Sequence, residues 1–177
     1  MLFRSRNRSW AVTGLIASGA GMGSTLTQIV ERIALAENPQ AHLTCNISKL
    51  ISCTNVLLAP QSAVFRPVPN AAIAFGMFAI FFAAFSVAVS KSSISKWLAR
   101  GMQGAMFFML AFASWFMWQT AFSIGALCLY CTINTTAVVL VNLAWWKVTH
   151  RRVAYESLLA FGYWALLAAL VFYGLWT

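Results

Sequence analysis

Four cysteines are the residues best suited to chemistry. Cys128 and Cys131 form a C-x-x-C within ALCLYCTINTT, and Cys45 and Cys53 frame CNISKLISC. A C-x-x-C at the start of a helix holds both sulfurs near one face, within bridging distance. The free N–H groups and dipole of that helix end favour a thiolate. Exchange between a thiolate and a disulfide then passes two electrons from one pair to the next. The same residues admit other readings. C-x-x-C is half of a four-cysteine zinc pattern, although Cys45-x7-Cys53 is wider than the usual second half. Two fixed structural disulfides, or four buried thiols acting as small hydrophobes, are also open.

The choice depends on the elements that carry the cysteines. The 177 residues are 61% hydrophobic and 8% charged, whereas soluble domains carry about 25% charged residues. So few charges cannot cover a water-facing surface, so the chain is read as an integral membrane protein of one domain, 1–177. The net charge of +9 fits membrane loops rich in Lys and Arg. No basic-aromatic module for nucleic acid is visible. Uncharged stretches run from Ser9 to Val30, Pro67 to Ser90, Gly101 to Trp146 and Ser157 to Thr177. A span needs about 20 residues, so the third stretch holds two spans joined by a turn at Gln119–Gly125. Backbone groups must be satisfied within lipid, which makes the spans helices. They are expected near 10–30, 70–90, 101–120, 126–146 and 157–176, with a loop at 34–69.

Counting basic residues orients the chain. With the N-terminus in the cytoplasm, Arg4, Arg6, Arg8, Lys91, Lys96, Arg100, Lys147, Arg151 and Arg152 lie inside, and only Arg32, Lys49 and Arg66 lie outside. That bias gives a multi-pass protein of the inner (plasma) membrane with a cytoplasmic N-terminus. Ala34-Leu35-Ala36 resembles a signal-peptide cleavage site, but Glu31 and Arg32 interrupt the approach to it, and the segment is read as a retained first span.

This topology puts all four cysteines at one membrane face, the extracytoplasmic and oxidising one. Apolar residues between Asn46 and Leu58 recur at helical spacing, which predicts a surface helix stopped by Pro60. Cys45 precedes that helix and is expected to meet a protein in the water; Cys53 is expected to face the bundle. Electrons reaching Cys128 and Cys131 need an exit. His42 and His150 lie on opposite sides of the membrane, no metal ligand set is evident, and no nucleotide-binding glycine pattern appears. A lipid-soluble acceptor between the helices remains, namely a quinone (menaquinone or ubiquinone).

With Cys45-x7-Cys53, the following Pro60-Gln61, Pro69-Asn70 and Cys128-x-x-Cys131, the chain resembles the vitamin K epoxide reductases and their bacterial homologues over about Thr44 to Trp146. The resemblance implies an all-α integral membrane fold. In it, a four-helix bundle surrounds a quinone, a fifth transmembrane helix follows, and an extracytoplasmic loop carries a short horizontal helix. It implies that Cys131 reacts with the quinone, Cys128 is its partner, Cys53 exchanges with Cys128, and Cys45 takes electrons from a thioredoxin-fold protein. That protein is expected to be a separate polypeptide, since the chain ends at Thr177. Asn70 matches the family asparagine that hydrogen-bonds a quinone carbonyl. Two positions depart from the pattern: Ala59 stands where a polar residue is usual, and Thr135 where Tyr or Trp is frequent. Thr135 falls one turn below Cys131 on the same face, so its hydroxyl either points at the quinone or bonds its own backbone.

The reading is a membrane thiol oxidoreductase that oxidises an extracytoplasmic thioredoxin-fold protein and reduces a quinone. A quinone-epoxide reductase using thiols as electron donor is the alternative within the same chemistry. A non-enzymatic membrane subunit with structural disulfides or zinc is the alternative outside it.

Overall fold

A computed structural model describes residues 2–4, 8–90, 92–150 and 156–176, with the backbone alone at 2–4, 93, 156 and 157. The charges Arg6, Lys91, Arg151 and Arg152 that enter the topology count lie outside these residues, as does Thr177. Among the described residues, six α-helices run in the order α1 (Arg8–Glu37), α2 (Cys53–Leu58), α3 (Asn70–Val89), α4 (Lys96–Gln119), α5 (Leu129–Thr149) and α6 (Glu156–Trp176). The one sheet among the described residues is a ribbon in which β1 (Leu2–Arg4) pairs antiparallel with β2 (Ser93–Ser95). The protein is an all-α, multi-pass membrane protein. Among the described residues, four helices are long and apolar enough to cross a bilayer: Asn70–Val89, Lys96–Ile124, Leu129–Thr149 and Leu158–Trp176.

The first helix differs from the sequence expectation. Glu31 and Arg32 mark the end of an uncharged stretch, yet α1 continues through them to Glu37. Its buried positions recur every three or four residues and, apart from Leu35 near its end, are small or polar: Ala11, Gly14, Ala17, Ser18, Gly21, Ser24, Thr25, Gln28 and Glu31. Small residues let helices approach closely in a bundle without a hydrophobic driving force. A Cβ placed on Gly21 would come within 2.5 Å of the Phe78 ring on α3. Phe78, Phe81 and Phe85 of α3 are buried against α1, and Phe85 meets Trp145 of α5 edge-on, with ring centroids 5.5 Å apart. Two side chains of α5 bond across to carbonyls of α4, Asn142 Nδ2 to Met106 at 2.9 Å and Trp145 Nε1 to Ala99 at 3.2 Å. Such bonds tie helices together where water cannot compete.

α6 is the outlying helix. Its side chains are mostly exposed, and it attaches through Tyr163 to Ser114 and through Trp164 Nε1 to Thr136 Oγ1 at 3.2 Å.

The turn expected at Gln119–Gly125 is present. Helix α4 ends at Gln119, a π-type turn covers Thr120–Ile124, and Gly125 reverses the chain at φ 68°. A side chain at that φ would be strained, whereas glycine adopts it freely. The chain then runs extended into Cys128, the N-cap of α5.

The loop helix is shorter than its apolar spacing predicts. Residues 46–52 are not helical, and α2 starts only at Cys53. Local polar groups override the periodicity. The Asn46 carboxamide oxygen accepts from Ser52 Oγ and from the Thr54 N–H, and Ser52 Oγ accepts from the Asn55 N–H. Side chains that cap backbone donors in this way start a helix where they sit. The segment before the cap pairs with the chain ahead of α5: Leu127 N–H donates to the Leu50 carbonyl at 2.7 Å, and Ser52 N–H to the Leu127 carbonyl at 3.0 Å.

Candidate active site

These two backbone bonds bring the cysteine pairs together. Cys45 and Cys53 form a disulfide, with Cα atoms 5.7 Å apart. Cys128 and Cys131 are free thiols. The Cys128 Sγ lies 3.2 Å from the Cys53 Sγ, within reach of an exchange reaction. All four are buried, Cys45 at 1% exposure and Cys53 and Cys128 at 0%. The burial of Cys45 differs from the sequence expectation of a thiol offered to the water. Leu43, Leu35 and Val56 belong to the same buried cluster.

Cys128 stands outside the helix proper. Hydrogen bonds from the Cys131 side chain and from the Cys131 and Tyr130 backbone hold its thiol below the ordinary value, against burial and the charge of Glu31, which push it up. A thiolate is thereby favoured at the sulfur facing Cys53. Cys131, in the first turn of α5, also lines a cleft between the helices. The empty space of this cleft, its mouth included, is about 680 Å³. Phe78, Met109, Phe112 and Phe116 give it apolar walls, and Gln28, Asn70, Asn134 and Thr135 are its main neutral polar groups.

Those polar groups differ in what they have left to offer. Asn70 opens α3 and ties down the loop: its Nδ2 donates to the Gln61 carbonyl at 2.7 Å, and its Oδ1 accepts from the Val64 N–H at 3.1 Å. As a donor, its second amide hydrogen remains for a ligand. Thr135 donates its hydroxyl hydrogen to the Cys131 carbonyl at 2.9 Å, the self-bonding arrangement open to a threonine in a helix. Gln28 is 6% exposed, and its Nε2 finds no hydrogen-bond partner among the described residues; the same holds for Asn134 Oδ1. An orphaned donor and an orphaned acceptor on the wall of an apolar cleft fit a flat ring system with oxygens at its edges.

Sequence reasoning missed Gln28 and Glu31. Glu31 has its Oε2 3.7 Å from Cys45 Sγ, and Glu31, Cys45 and Cys53 place three ligand-type atoms within 4.8 Å of one another. The two sulfurs are bonded to each other, so they do not form a metal site in this state. A usable signal existed. Ser24, Gln28, Glu31 and Leu35 are spaced by four, three and four residues, so they share one helix stripe. Treating Glu31 as the end of a span concealed that stripe.

Comparison with known proteins adds one finding. The model of the Vitamin K epoxide reductase family matches residues 12–148, most of the chain. No curated protein matches it.

Proposed function

The chain belongs to the vitamin K epoxide reductase family, as a membrane oxidoreductase of the thiol-disulfide, quinone-linked kind, and from that premise we propose how its residues divide the work. It oxidises an extracytoplasmic thioredoxin-fold protein through two cysteine pairs and delivers the electrons to a quinone. The observation that carries this reading is that the C-x-x-C pair bridges the loop disulfide and the cleft. Cys128 Sγ sits 3.2 Å from the disulfide-bonded Cys53, while Cys131 lines the apolar cleft.

In this reading Cys45 and Cys53 receive electrons from the partner's dithiol. Cys53, released as a thiolate, attacks Cys128 when Cys128 and Cys131 are oxidised, and Cys131 departs as the thiolate that faces the cleft. Cys45 then attacks Cys53, restores the loop disulfide and frees Cys128. The loop disulfide beside two free thiols matches the state after this transfer. A quinone in the cleft supplies the final two-electron acceptor. Gln28 Nε2, with the second amide hydrogen of Asn70, would hold its carbonyl oxygens, and Asn134 Oδ1 would accept from it once reduced. Thr135, hydroxyl turned to its own backbone, contributes its methyl to the wall. Arg8, Arg100 and Lys147 at the opposite end of the helices support an orientation with the cysteines outside and the N-terminus in the cytoplasm.

Because Cys45 is buried, the loop must open to admit the partner. Cys131→Ala tests the assignment. The variant is expected to lose quinone reduction while accumulating a Cys53–Cys128 or Cys45-linked mixed disulfide, read by alkylation and peptide mapping. Quinone reduction at the normal rate by this variant would overturn the reading.

A further inference from the structure

Glu31 is a buried charged group that the relay leaves unused. It is 8% exposed on the packed face of α1. Its Oε1 accepts from Thr44 Oγ1 at 2.9 Å and lies 3.5 Å from the Tyr130 hydroxyl, and those two hydroxyls are 2.8 Å apart. Its Oε2 faces Cys45 Sγ at 3.7 Å, a range in which a thiol hydrogen reaches a carboxylate. Among the described residues no cation pairs with it. Arg32, the next residue, turns to the Leu57 carbonyl and the Ser62 hydroxyl. The titratable groups facing it are Cys45 from the loop, Cys53 from α2, Tyr130 from α5 and Cys128 at the N-cap of α5. Two hydroxyl donors do not replace the hydration a carboxylate loses on burial. A carboxylate kept in a bundle at that cost and aimed at a reactive sulfur is a candidate proton carrier.

We propose that Glu31 is the proton acceptor for Cys45 in the step that re-forms the loop disulfide. The proposal rests on the relay described above and names its base. The step begins with a Cys53–Cys128 disulfide and a Cys45 thiol. The Cys45 proton passes to Glu31 Oε2. Cys45 Sγ attacks Cys53 Sγ, the Cys45–Cys53 bond forms, the Cys53–Cys128 bond breaks, and Cys128 leaves with the electron pair as a thiolate at the N-terminus of α5. The two electrons now reside on the C-x-x-C pair. The proton leaves Glu31 by the hydroxyl of Thr44, an exposed residue. In the reverse direction the same carboxyl returns a proton to Cys45. The geometry holds the product of this step, with Cys128 beside Cys53 and the carboxylate beside Cys45.

The test needs no quinone. In Cys131→Ala protein the exchange between the Cys53–Cys128 and Cys45–Cys53 disulfides is isolated, and its rate is read by acid quench, alkylation and mass spectrometry. With Glu31 present the rate is expected to stay nearly level from about pH 8 to about pH 6, because the base is built in. Glu31→Gln is expected to slow the exchange about 10²-fold at neutral pH, the usual worth of a positioned base, and to make the rate climb tenfold per pH unit. Glu31→Asp is expected to restore part of the rate. If Glu31→Gln exchanges at the parent rate with the parent pH profile, the proposal falls while the relay stands. If Glu31→Gln does not fold, the parent profile decides: a tenfold fall per pH unit between those values overturns the proposal, and a level rate supports it. If no Cys53–Cys128 disulfide forms in either background, the relay itself is wrong.

Discussion

Replacing Gln28 by methionine is expected to strengthen the fold and weaken quinone binding at once. Methionine has the length of glutamine without its polar atoms. In the structure Gln28 Nε2 is buried and unpartnered, and an unmet donor in such a place costs about 1–3 kcal/mol. Removing it should raise the unfolding free energy of the quinone-free protein by that amount, measured by detergent-denaturant titration monitored by tryptophan fluorescence. The same change deletes a hydrogen bond to a quinone carbonyl, with a net worth of about 0.5–1.5 kcal/mol. At about 1.4 kcal/mol per tenfold, KM for quinone should rise about 2- to 10-fold. Added quinone should then stabilise the variant less than the parent at equal concentration. Lost stability with unchanged KM would refute the reasoning, because it would mean that Gln28 packs or pairs within the protein and does not face a ligand.

Two further outcomes follow from geometry already given. Gly21→Ala drives a methyl into the Phe78 ring, which is itself buried against Phe81, and should cost about 1–3 kcal/mol by overpacking; a thermal melt in detergent checks it, and an unshifted melt would show that the ring can move. Cys128 should titrate below a free thiol because its largest stabiliser is the Cys131 side chain, and Cys131→Ala should shift the thiolate absorbance of Cys128 to higher pH. The sign for stability follows: a depressed thiol favours the fold above the free-thiol range, and the benefit fades as pH falls through the folded value. A Cys128 titration unmoved by Cys131→Ala would assign the depression to the helix end alone.

Much of the architecture could be read from where the charges fall. Arg66 and Lys91 flank α3 in the sequence, and Arg100 and Lys147 lie near the start of α4 and the end of α5, because membrane helices tolerate charges mainly near their ends. The signal failed where a charge sat on an interior face. Glu31 and Arg32 interrupt hydropathy without interrupting α1, since the helix buries one with hydroxyl partners and lets the other reach back to the loop. Periodicity overstated the loop helix, because it counts apolar residues and is blind to Asn46 and Ser52 binding backbone groups. The C-x-x-C and the N-terminal position of Cys128 were legible from spacing and the turn before it. The burial of Cys45 and the engagement of Asn70 by Gln61 and Val64 were not, because both depend on how a loop folds back over the bundle.

The two backbone hydrogen bonds at Leu127 act as a ruler for the loop. They hold Leu50 and Ser52 by main-chain atoms, so the distance from Ile51 to Cys53 is fixed relative to Cys128, whatever side chains occupy positions 51 and 127. An extra residue between Ile51 and Cys53 would swing the sulfur to the opposite side of the strand-like segment, away from its exchange partner. An extra residue near Lys49 would lengthen an exposed turn, at the expense of the bonds from the Ile47 and Ser48 N–H groups to the Ile51 carbonyl. The interval between the two loop cysteines is therefore tolerant at one end and rigid at the other. Length variants of that interval, with an insertion at its exposed turn or beside Cys53, would separate the part that sets the reaction distance from the part that merely closes the chain.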